Sequence, residues 1–416
     1  MRFRKTLLGI AVAALTAAGL NAQSILLSGT QSPFKLARTP AGNLLLAESG
    51  TGAGDGRVSL VTLGGGRFTL LDGLPSGLTK EGAAIGPTAV ADAHSTLYIV
   101  IGEGDVQGPS SAPPKQVPNP NGPSSPIFSS VLRARFNPVP DGVRTGFHVS
   151  AADVDSLVDG NEITLQNDSG EAVELLLLAD FRDFVPDPVL SVRQSDPFAV
   201  SVVGSLTSAD LTEFGFDGVS IAGANFFARL NWNTPIGRRL EERTTVYVAD
   251  AGMNTIVAVS ASTGRTRVLA RFPPVTNTLF PSLGGPVTDA VATSIFVRAD
   301  GTFLVTILGG FPFAAGSSKV YSVDPSTGAF TPYIEGLTSA TNVVEVGGAT
   351  YVLEVSTDLL AGAPGQLLRF DTPGATPVVV AGGLIGPTGL IYEPTRNELI
   401  VSETFTGLIK RIALTP

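Results

Sequence analysis

The sequence predicts an all-β, six-bladed β-propeller, and three observations support this prediction. Short strand-like segments recur with a spacing near 50 residues along most of the chain. The composition supplies many turns, with 48 Gly and 30 Pro among 416 residues. A lone strand-like segment precedes the first full repeat, and the last repeat lacks an outer strand. A period near 50 residues that consists only of strands is typical of propeller blades.

The clearest repeat unit lies at 246–269. It contains a strand at 246–250, a turn around Gly252 and Asn254, and two further strands separated by a Ser-Thr-Gly turn. The strands are rich in Val, Ile, Thr and Tyr, whereas the turns contain Gly, Asn and Ser. This pattern favours the hairpins of a pleated sheet. The unit alone is a three-stranded meander, so the fold prediction depends on its recurrence.

The unit occurs six times in all. The predicted second strands of the blades are 44–49, 97–102, 246–250, 303–308, 351–356 and 399–404. The predicted third strands are 57–63, 130–136, 255–261, 319–325, 366–372 and 408–414. The long interval before the third blade predicts insertions in blades two and three, near 104–127, 137–170 and 205–243. An alternative is a seventh blade, with 174–181 and 189–193 as paired strands.

The N-terminus has the pattern of a signal peptide at 1–22. Arg2, Arg4 and Lys5 precede an apolar run, Leu7–Leu20, that is short for a membrane span. Cleavage after Ala22 would leave a single propeller domain, 23–416, without a transmembrane anchor. An uncleaved anchor is the alternative. We expect an exported protein, in the periplasm or outside the cell.

Charge and cysteine content narrow the function classes. The chain has no cysteine, so it forms no disulfides and offers no thiol nucleophile. Its net charge of −9 would fall to about −12 without the three N-terminal cations. That charge disfavours nucleic acid and anionic surfaces as partners. We expect a monomer whose partner is an unidentified small molecule, polymer or protein.

The lone strand at 24–28 predicts how the ring closes. The chain ends directly after the third strand of its last blade. We therefore expect 24–28 to supply the missing outer strand, because closure covers edges that otherwise promote aggregation.

Several segments resemble one known family. They are VYVADAGMNTI (246–256), SVLRARF (130–136), LLLLADF (175–181), SDPFAV (195–200) and GGFPFAAGSSKVYSV (309–323). Together they are similar to the ScyD/ScyE family of exported bacterial β-propeller proteins, with NHL-like repeats. The resemblance implies a propeller fold and export. It implies no catalytic activity, because none is established for that family, and a fold alone does not define a function.

Carboxylates at the ends of the second strands are the first candidate site. Aligning the strands places Glu48, Asp250 and Glu403 at one equivalent position, with Glu354 one residue earlier and Glu103 two residues later. One interpretation is that they accept backbone N–H groups and hold the adjoining turns. The other is that they converge near the axis on a hard cation such as Ca²⁺. That ion would polarise a lactone or ester carbonyl, as in gluconolactonase-like propellers.

Phe311 and Phe313 are the second candidate site. They lie in a loop of small residues, where core packing does not explain them. They are expected either to plug the channel mouth or to form a wall for a planar or apolar ligand. The two histidines, His94 and His148, are expected at the surface with no catalytic role.

Two functions remain open from the sequence. The first is an exported binding or scaffold propeller without a cofactor, working through the 104–127 loop and the face that carries the connections between blades. The alternative is a divalent-cation-dependent hydrolase of lactones or esters at the channel. A condensing enzyme of the strictosidine-synthase kind is a third, by fold analogy only.

Overall fold

A computed structural model describes residues 21–93, 95–111, 116–136, 145–187, 191–204, 206–214, 234–282 and 285–414. Six sheets with four or more strands each follow one another along this chain, and they are antiparallel apart from one two-residue strand at the edge of the first. The first strands of the six sheets contact one another in a closed ring. The predicted six-bladed β-propeller is therefore confirmed.

The N-terminal half forms blades one and two. The chain begins with β1 (Gln23–Leu27), and blade one follows as β2 (Pro33–Arg38), β3 (Leu44–Glu48), β4 (Gly56–Val61) and β5 (Arg67–Leu74). The next elements are a hairpin, β6 (Gly77–Leu78) and β7 (Ala84–Ile85), then β8 (Pro87–Ala93), β9 (Thr96–Ile101) and β10 (Ser130–Phe136). The chain then passes through β11 (Phe147–His148), which pairs with β5 at the edge of blade one, and helix α1 (Ala151–Val158). Strands β12 (Ile163–Gln166) and β13 (Ala172–Asp180) complete blade two.

The centre of the chain forms blades three and four. A hairpin, β14 (Phe184–Asp187) and β15 (Ser191–Gln194), leads to β16 (Pro197–Gly204), α2 (Ser208–Glu213) and α3 (Pro235–Glu242). Blade three continues with β17 (Thr244–Asp250), β18 (Thr255–Ser260) and β19 (Thr266–Arg271). The hairpin β20 (Val275–Thr276) and β21 (Val287–Thr288) precedes β22 (Ala292–Val297), β23 (Phe303–Ile307), β24 (Ser318–Val323) and β25 (Phe330–Leu337).

The last two blades are compact. Blade five contains β26 (Ala340–Val346), β27 (Ala349–Glu354), β28 (Gly365–Phe370) and β29 (Val378–Leu384). Blade six contains β30 (Pro387–Glu393), β31 (Glu398–Glu403) and β32 (Leu408–Ala413).

Strand β1 supplies the fourth strand of blade six, as predicted. It pairs antiparallel with β32, with Gln23 opposite Ile412 and Leu27 opposite Ile409. The ring is thus closed by the two ends of the described chain, and the edge of β32 is covered.

The alternative of a seventh blade is wrong. Strand β13, which contains 174–180, pairs with β10 and is the fourth strand of blade two. Strands β14 and β15 form only a two-stranded hairpin between blades. A strongly apolar strand is compatible with either assignment, and only its pairing partner decides between them.

The apolar residues pack as six clusters, one between each pair of neighbouring blades. In β3, Leu45 and Ala47 face blade two, whereas Leu44 and Leu46 face blade six. Both faces of a blade are therefore buried, which explains why the second strands are apolar throughout rather than alternating. Helix α3 and the segment just before α2 form a separate small cluster of Leu206, Ile236 and Leu240.

The signal-peptide prediction concerns residues that lie almost entirely outside the described chain. In the part that the structure describes, no helix is long and apolar enough to cross a bilayer.

Candidate functional site

We call one end of the propeller the inter-blade face. It carries the connections between blades and the turns between second and third strands. The segment 104–127 lies there between β9 and β10, and the hairpins β6–β7, β14–β15 and β20–β21 lie there between blades. The insertion of blade three joins first strand β16 to second strand β17, so its described parts, 206–214 and 234–243, belong to the opposite face.

The four predicted carboxylates each end a second strand on the inter-blade face. They pair with the first residues of the first strands: Glu48 with Pro33, Asp250 with Pro197, Glu354 with Ala340 and Glu403 with Pro387. All four thus occupy one repeat position. The sequence alignment that placed Glu354 one residue earlier is wrong, because a strand apolar on both faces gives no register signal.

Each carboxylate accepts a hydrogen bond from the connection that leads into its own blade. The backbone donors are Gln31 to Glu48 at 2.8 Å, Asp196 to Asp250 at 2.9 Å, Thr338 to Glu354 at 2.6 Å and Ile385 to Glu403 at 2.9 Å. This is the geometry of the turn-holding interpretation, in which a buried carboxylate satisfies a backbone N–H that has no strand partner.

Further donors from the same blade or its incoming connection occupy these carboxylates. They are Arg67 for Glu48 at 2.6 Å, Ser195 for Asp250 at 2.6 Å, Gln366 for Glu354 at 2.7 Å and Lys410 for Glu403 at 2.7 Å. Burial raises the pKa of Asp250 and of Glu354, and their hydrogen bonds oppose that rise. Among the described residues, no three Asp, Glu or His side chains lie close enough to hold one metal ion.

The inter-blade end of the channel is filled by side chains of blades one and three. Phe34 and Phe198 meet edge to face, with ring centroids 5.4 Å apart. The Lys35 ammonium lies 5.1 Å from the Phe198 centroid and donates to the carbonyls of Thr341 at 2.7 Å and Thr388 at 2.8 Å. Burial holds the pKa of Lys35 well below its usual range. These contacts cross the axis and close this end.

A repeated bulge in the first strands positions this plug. In blades two, four, five and six the bulged residue is a threonine whose hydroxyl donates to the next blade: Thr88 to Pro197, Thr293 to Ala340, Thr341 to Pro387 and Thr388 to Pro33. Blade three has Phe198 at this position, and the bulge of blade one contains Phe34 and Lys35. The plug therefore consists of the residues that depart from the threonine pattern.

Beyond the plug, the first strands enclose a cavity of about 530 Å³. It extends from Lys35 to the far ends of the strands, where Arg38, Asp92 and Glu345 line it. The channel space thus belongs to the opposite face rather than to the inter-blade face.

Phe311 and Phe313 lie in the turn between β23 and β24, on the inter-blade face. Phe311 stacks on Phe280 of the preceding connection with centroids 6.2 Å apart, and Phe313 meets Phe311 edge to face at 6.2 Å. Neither lines the channel cavity, which Phe34 and Phe198 close instead. The two candidates therefore belong to an aromatic cluster beside the axis.

Seven large apolar side chains are exposed on the inter-blade face in the part of the chain that the structure describes. They come from connections and turns of four blades: Leu78, Leu279, Phe280, Val287, Leu360, Ile385 and Phe405. We call this set the apolar face. Ion pairs occur on both faces, such as Lys80–Glu81 and Arg193–Asp289 on the inter-blade face and Arg38–Glu393 and Arg298–Glu345 on the opposite face. Contiguous exposed apolar surface beside a pocket typically marks a binding surface.

The apolar face contains a pocket of about 410 Å³ beside the axis. We call it the apolar pocket. Phe34, Leu78, Ile85 and Phe405 line it, together with the backbone of the β6–β7 hairpin and of Gly50. Leu78 is 49% exposed and Phe405 is 73% exposed, so both side chains remain accessible.

An acidic pair lies on the same face between blades two and three. The backbone N–H of Glu103 is 3.4 Å from Oδ1 of Asp196. Burial raises the pKa of Asp196 to about 7, and the charge of Asp250 adds to this. Burial also holds the pKa of Glu103 well above its usual range, and the charge of Asp196 adds to that rise.

Sequence reasoning missed Phe34, Leu78, Phe405 and Asp196 as candidates. Phe405 carried the same signal as Phe311, an aromatic residue in a turn within two residues of a glycine. Phe34 and Asp196 carried no such signal, because their roles depend on which blades become neighbours. His148 is exposed and contacts Asp72 at 2.7 Å, whereas His94 lies outside the described residues.

No protein-family model matches the sequence, and no curated protein is significantly similar to it. Solved structures of similar architecture include a putative oxidoreductase (glucose dehydrogenase) from Thermus thermophilus, with 13% identity and a TM-score of 0.47. That match covers 94% of this chain and 99% of the other.

Two further structures align over most of their length. Regucalcin, a calcium-binding protein from Agrobacterium tumefaciens, has 10% identity and a TM-score of 0.45, covering 96% of both chains. A gluconolactonase from Xanthomonas campestris has 10% identity and a TM-score of 0.44, covering 96% of this chain and 92% of the other. At these identities and TM-scores the comparisons assign no activity, and the propeller assignment rests on the sheets of this chain.

Proposed function

We propose that the protein is an exported binding propeller of the ScyD/ScyE type that holds an apolar ligand, or an apolar surface of a partner, on its inter-blade face. The observation that carries the proposal is the apolar pocket, with Leu78 and Phe405 exposed at its rim. Removing such side chains from water on binding supplies roughly 25 cal/mol per Å² of apolar area, which is the main driving force available on this face.

Three features support this proposal over a scaffold role elsewhere on the molecule. Exposed large apolar side chains lie on several connections and turns of the inter-blade face, and two of them line the apolar pocket. The stack of Phe280, Phe311 and Phe313 extends the same face. Export is supported by the basic and apolar segment at 1–22, and N-terminal sequencing of the secreted chain should give Gln23 as its first residue.

The test uses anilinonaphthalene sulfonate, an anionic dye with apolar aromatic rings whose fluorescence rises when the rings are bound in an apolar site. Phe405→Ala should weaken dye binding by roughly tenfold, equivalent to about 1.4 kcal/mol. Phe68→Ala is the matched control, because Phe68 is also half exposed but lies on the outer strand of blade one. Equal dye affinity in both variants would contradict the proposal.

A divalent-cation-dependent lactone or ester hydrolase remains the alternative function. It requires a cation that a substrate reaches from the channel mouth. The channel mouth on the inter-blade face is filled by Phe34, Phe198 and Lys35. We therefore rank the hydrolase second. Lactone hydrolysis that depends on added Ca²⁺ and is lost in Glu48→Gln would reverse this order.

A further inference from the structure

The channel cavity has a buried lysine at its closed end. Residues of all six first strands, β2, β8, β16, β22, β26 and β30, line this cavity of about 530 Å³. Lys35 of β2 lies at the end that the plug closes, and only 5% of its surface is exposed. Its Nζ donates to the carbonyls of Thr341 at 2.7 Å and Thr388 at 2.8 Å. One side chain thus joins blades one, five and six across the axis.

The positive charge of Lys35 has no counter-ion in the described chain. Two carbonyl acceptors leave the third N–H of the ammonium without an acceptor, and no described Asp or Glu lies within ion-pair distance. Phe198 contributes a ring centroid 5.1 Å from Nζ but no anion. Burial accordingly holds the pKa of Lys35 well below its usual range. Because buried charges are normally paired, this ammonium calls for an anion from outside the chain.

Asn342 supplies a second donor at the same end. It follows Thr341 directly in the chain, at the bulge of β26, and it lines the cavity. Its Oδ1 accepts the N–H of Val343 at 2.9 Å, which fixes the orientation of the amide. The Nδ2 group donates to none of the residues that the structure describes. The closed end therefore carries two polar groups that each have a hydrogen atom to donate.

Most of the other residues that line the cavity are Ala, Val, Ile or Leu. The remaining titratable side chains of the lining lie at the far ends of the strands: Arg38, Asp92, Glu345 and Tyr392. Arg38 and Glu345 form ion pairs there with Glu393 and Arg298. Within the described lining, Lys35 is thus the only ionisable group at the closed end.

We propose that the channel cavity is a binding site for a small monocarboxylic acid, whose carboxylate accepts from Nζ of Lys35 and Nδ2 of Asn342. The carboxylate supplies the missing counter-ion without displacing either carbonyl contact of the ammonium. A single negative charge matches a single ammonium, whereas a phosphate dianion would bring a second, uncompensated charge into the site. The aliphatic residues of the first strands then surround the apolar body of the acid.

The size of the cavity suits such a ligand. Its volume of about 530 Å³ lies within the roughly 300–1,000 Å³ of small-molecule sites. Arg38 follows Lys35 by three residues along β2, so the cavity is roughly 10 Å deep at about 3.3 Å per residue. An extended acid of medium chain length fits this depth with its carboxylate at the closed end.

The site is separate from the apolar pocket. Phe34 and Phe198 close the channel on the inter-blade side, so the acid enters from the opposite face, whereas the apolar pocket opens on the inter-blade face. The inference therefore stands independently of what the apolar pocket binds.

The experiment is a calorimetric titration of the mature chain with sodium octanoate. We expect saturable binding with a Kd on the order of 10⁻⁴ M, an ordinary ligand efficiency for about ten non-hydrogen atoms. Lys35→Met should weaken binding by at least about tenfold, because it removes the charge and keeps most of the side-chain volume. Lys319→Met is the matched control, since Lys319 pairs with Glu335 between the outer strands of blade four, and its affinity should equal that of the parent chain.

A second variant keeps the test decisive if Lys35→Met fails to fold. Asn342→Asp preserves the shape of the side chain and the acceptor for the N–H of Val343. It also places a negative charge beside the ligand carboxylate, so binding should weaken by at least about tenfold while the melting temperature stays near that of the parent chain.

Proton uptake is a readout that a purely structural lysine would not produce. Burial lowers the pKa of Lys35 in the free chain, and a bound carboxylate stabilises the charged form. Binding therefore raises this pKa and takes up protons, so affinity should fall as the pH rises through the pKa of the free chain. The binding heat should then differ between two buffers of different ionisation enthalpy, and Lys35→Met should abolish that difference.

No binding heat up to about 10 mM octanoate, about a hundredfold above the expected Kd, would overturn the proposal. So would affinity that is unchanged in Lys35→Met and Asn342→Asp, or a binding heat on which the buffer has no effect at any pH. Loss of binding in Phe405→Ala would place octanoate in the apolar pocket, which would overturn this inference and leave the proposed function intact.

Discussion

The strand-end carboxylates allow one substitution to be compared at two equivalent positions. Glu48→Gln and Glu354→Gln replace the same repeat position with the same side chain. The difference lies in the partners, because Glu48 faces a cation and Glu354 faces neutral donors. The free energy of unfolding should therefore fall much more for Glu48→Gln.

The cost of Glu48→Gln follows from its buried ion pair. Arg67 contacts both carboxylate oxygens of Glu48 at 2.6 Å, and the glutamate side chain is fully buried. A glutamine would turn its NH₂ group toward the guanidinium and leave that charge uncompensated. Breaking a buried pair typically costs 3–5 kcal/mol, and since Arg67 is 22% exposed we expect the lower end, about 3 kcal/mol.

The cost of Glu354→Gln should be below about 1 kcal/mol. The new amide oxygen still accepts the N–H of Thr338, and Gln366 can rotate its own amide to accept the new NH₂ group. Burial already raises the pKa of Glu354, so the neutral amide avoids a desolvation penalty that the carboxylate incurs.

The assay is urea unfolding followed by far-UV circular dichroism, with the midpoint shift multiplied by a common slope. Equal losses for the two variants would refute the reasoning, since the pairing partner would then not matter. A double variant, Glu48→Gln with Arg67→Met, should recover part of the loss by removing the unpaired cation.

Three further predictions concern pH, ring closure and the aromatic cluster. Burial raises the pKa of Asp196 to about 7 in the folded chain. Protonation of Asp196 therefore adds to the free energy of unfolding at low pH, and this stabilisation is lost as the pH rises from about 4 to 7. The free energy of unfolding of Asp196→Asn, measured in urea, should therefore rise relative to that of the parent chain by on the order of 3 kcal/mol between about pH 4 and pH 7. A difference between the two chains that does not change with pH would contradict this. Deleting residues 23–27 should lower the melting temperature and cause aggregation visible by light scattering, because the edge of the last blade is exposed; unchanged melting and scattering would show that closure is dispensable. Replacing Phe311 and Phe313 together by alanine should weaken dye binding while leaving the melting temperature nearly unchanged; a large loss of stability with normal binding would assign both rings to packing.

The repeat pattern was sufficient for the fold. Each predicted second and third strand corresponds to a strand of the structure, and the segment 24–28 pairs where the missing strand was expected. These predictions succeeded because blade strands, their turns and their period are local properties. The error at Glu354 arose where locality fails, since a strand buried on both faces has no alternation to fix its register.

The sequence by itself determined the strands of the blades and the closure of the ring, whereas the pairing of β13 with β10 decided for six blades against seven. Only the tertiary structure decided what the polar and aromatic residues do on the inter-blade face. Glu48 and Glu354 occupy one repeat position yet have different partners, and the plug of Phe34, Lys35 and Phe198 joins residues more than 160 positions apart. The physical reason is that hydrogen bonds and ring contacts act over a few ångströms between blades, whereas periodicity in the chain specifies only the blades themselves.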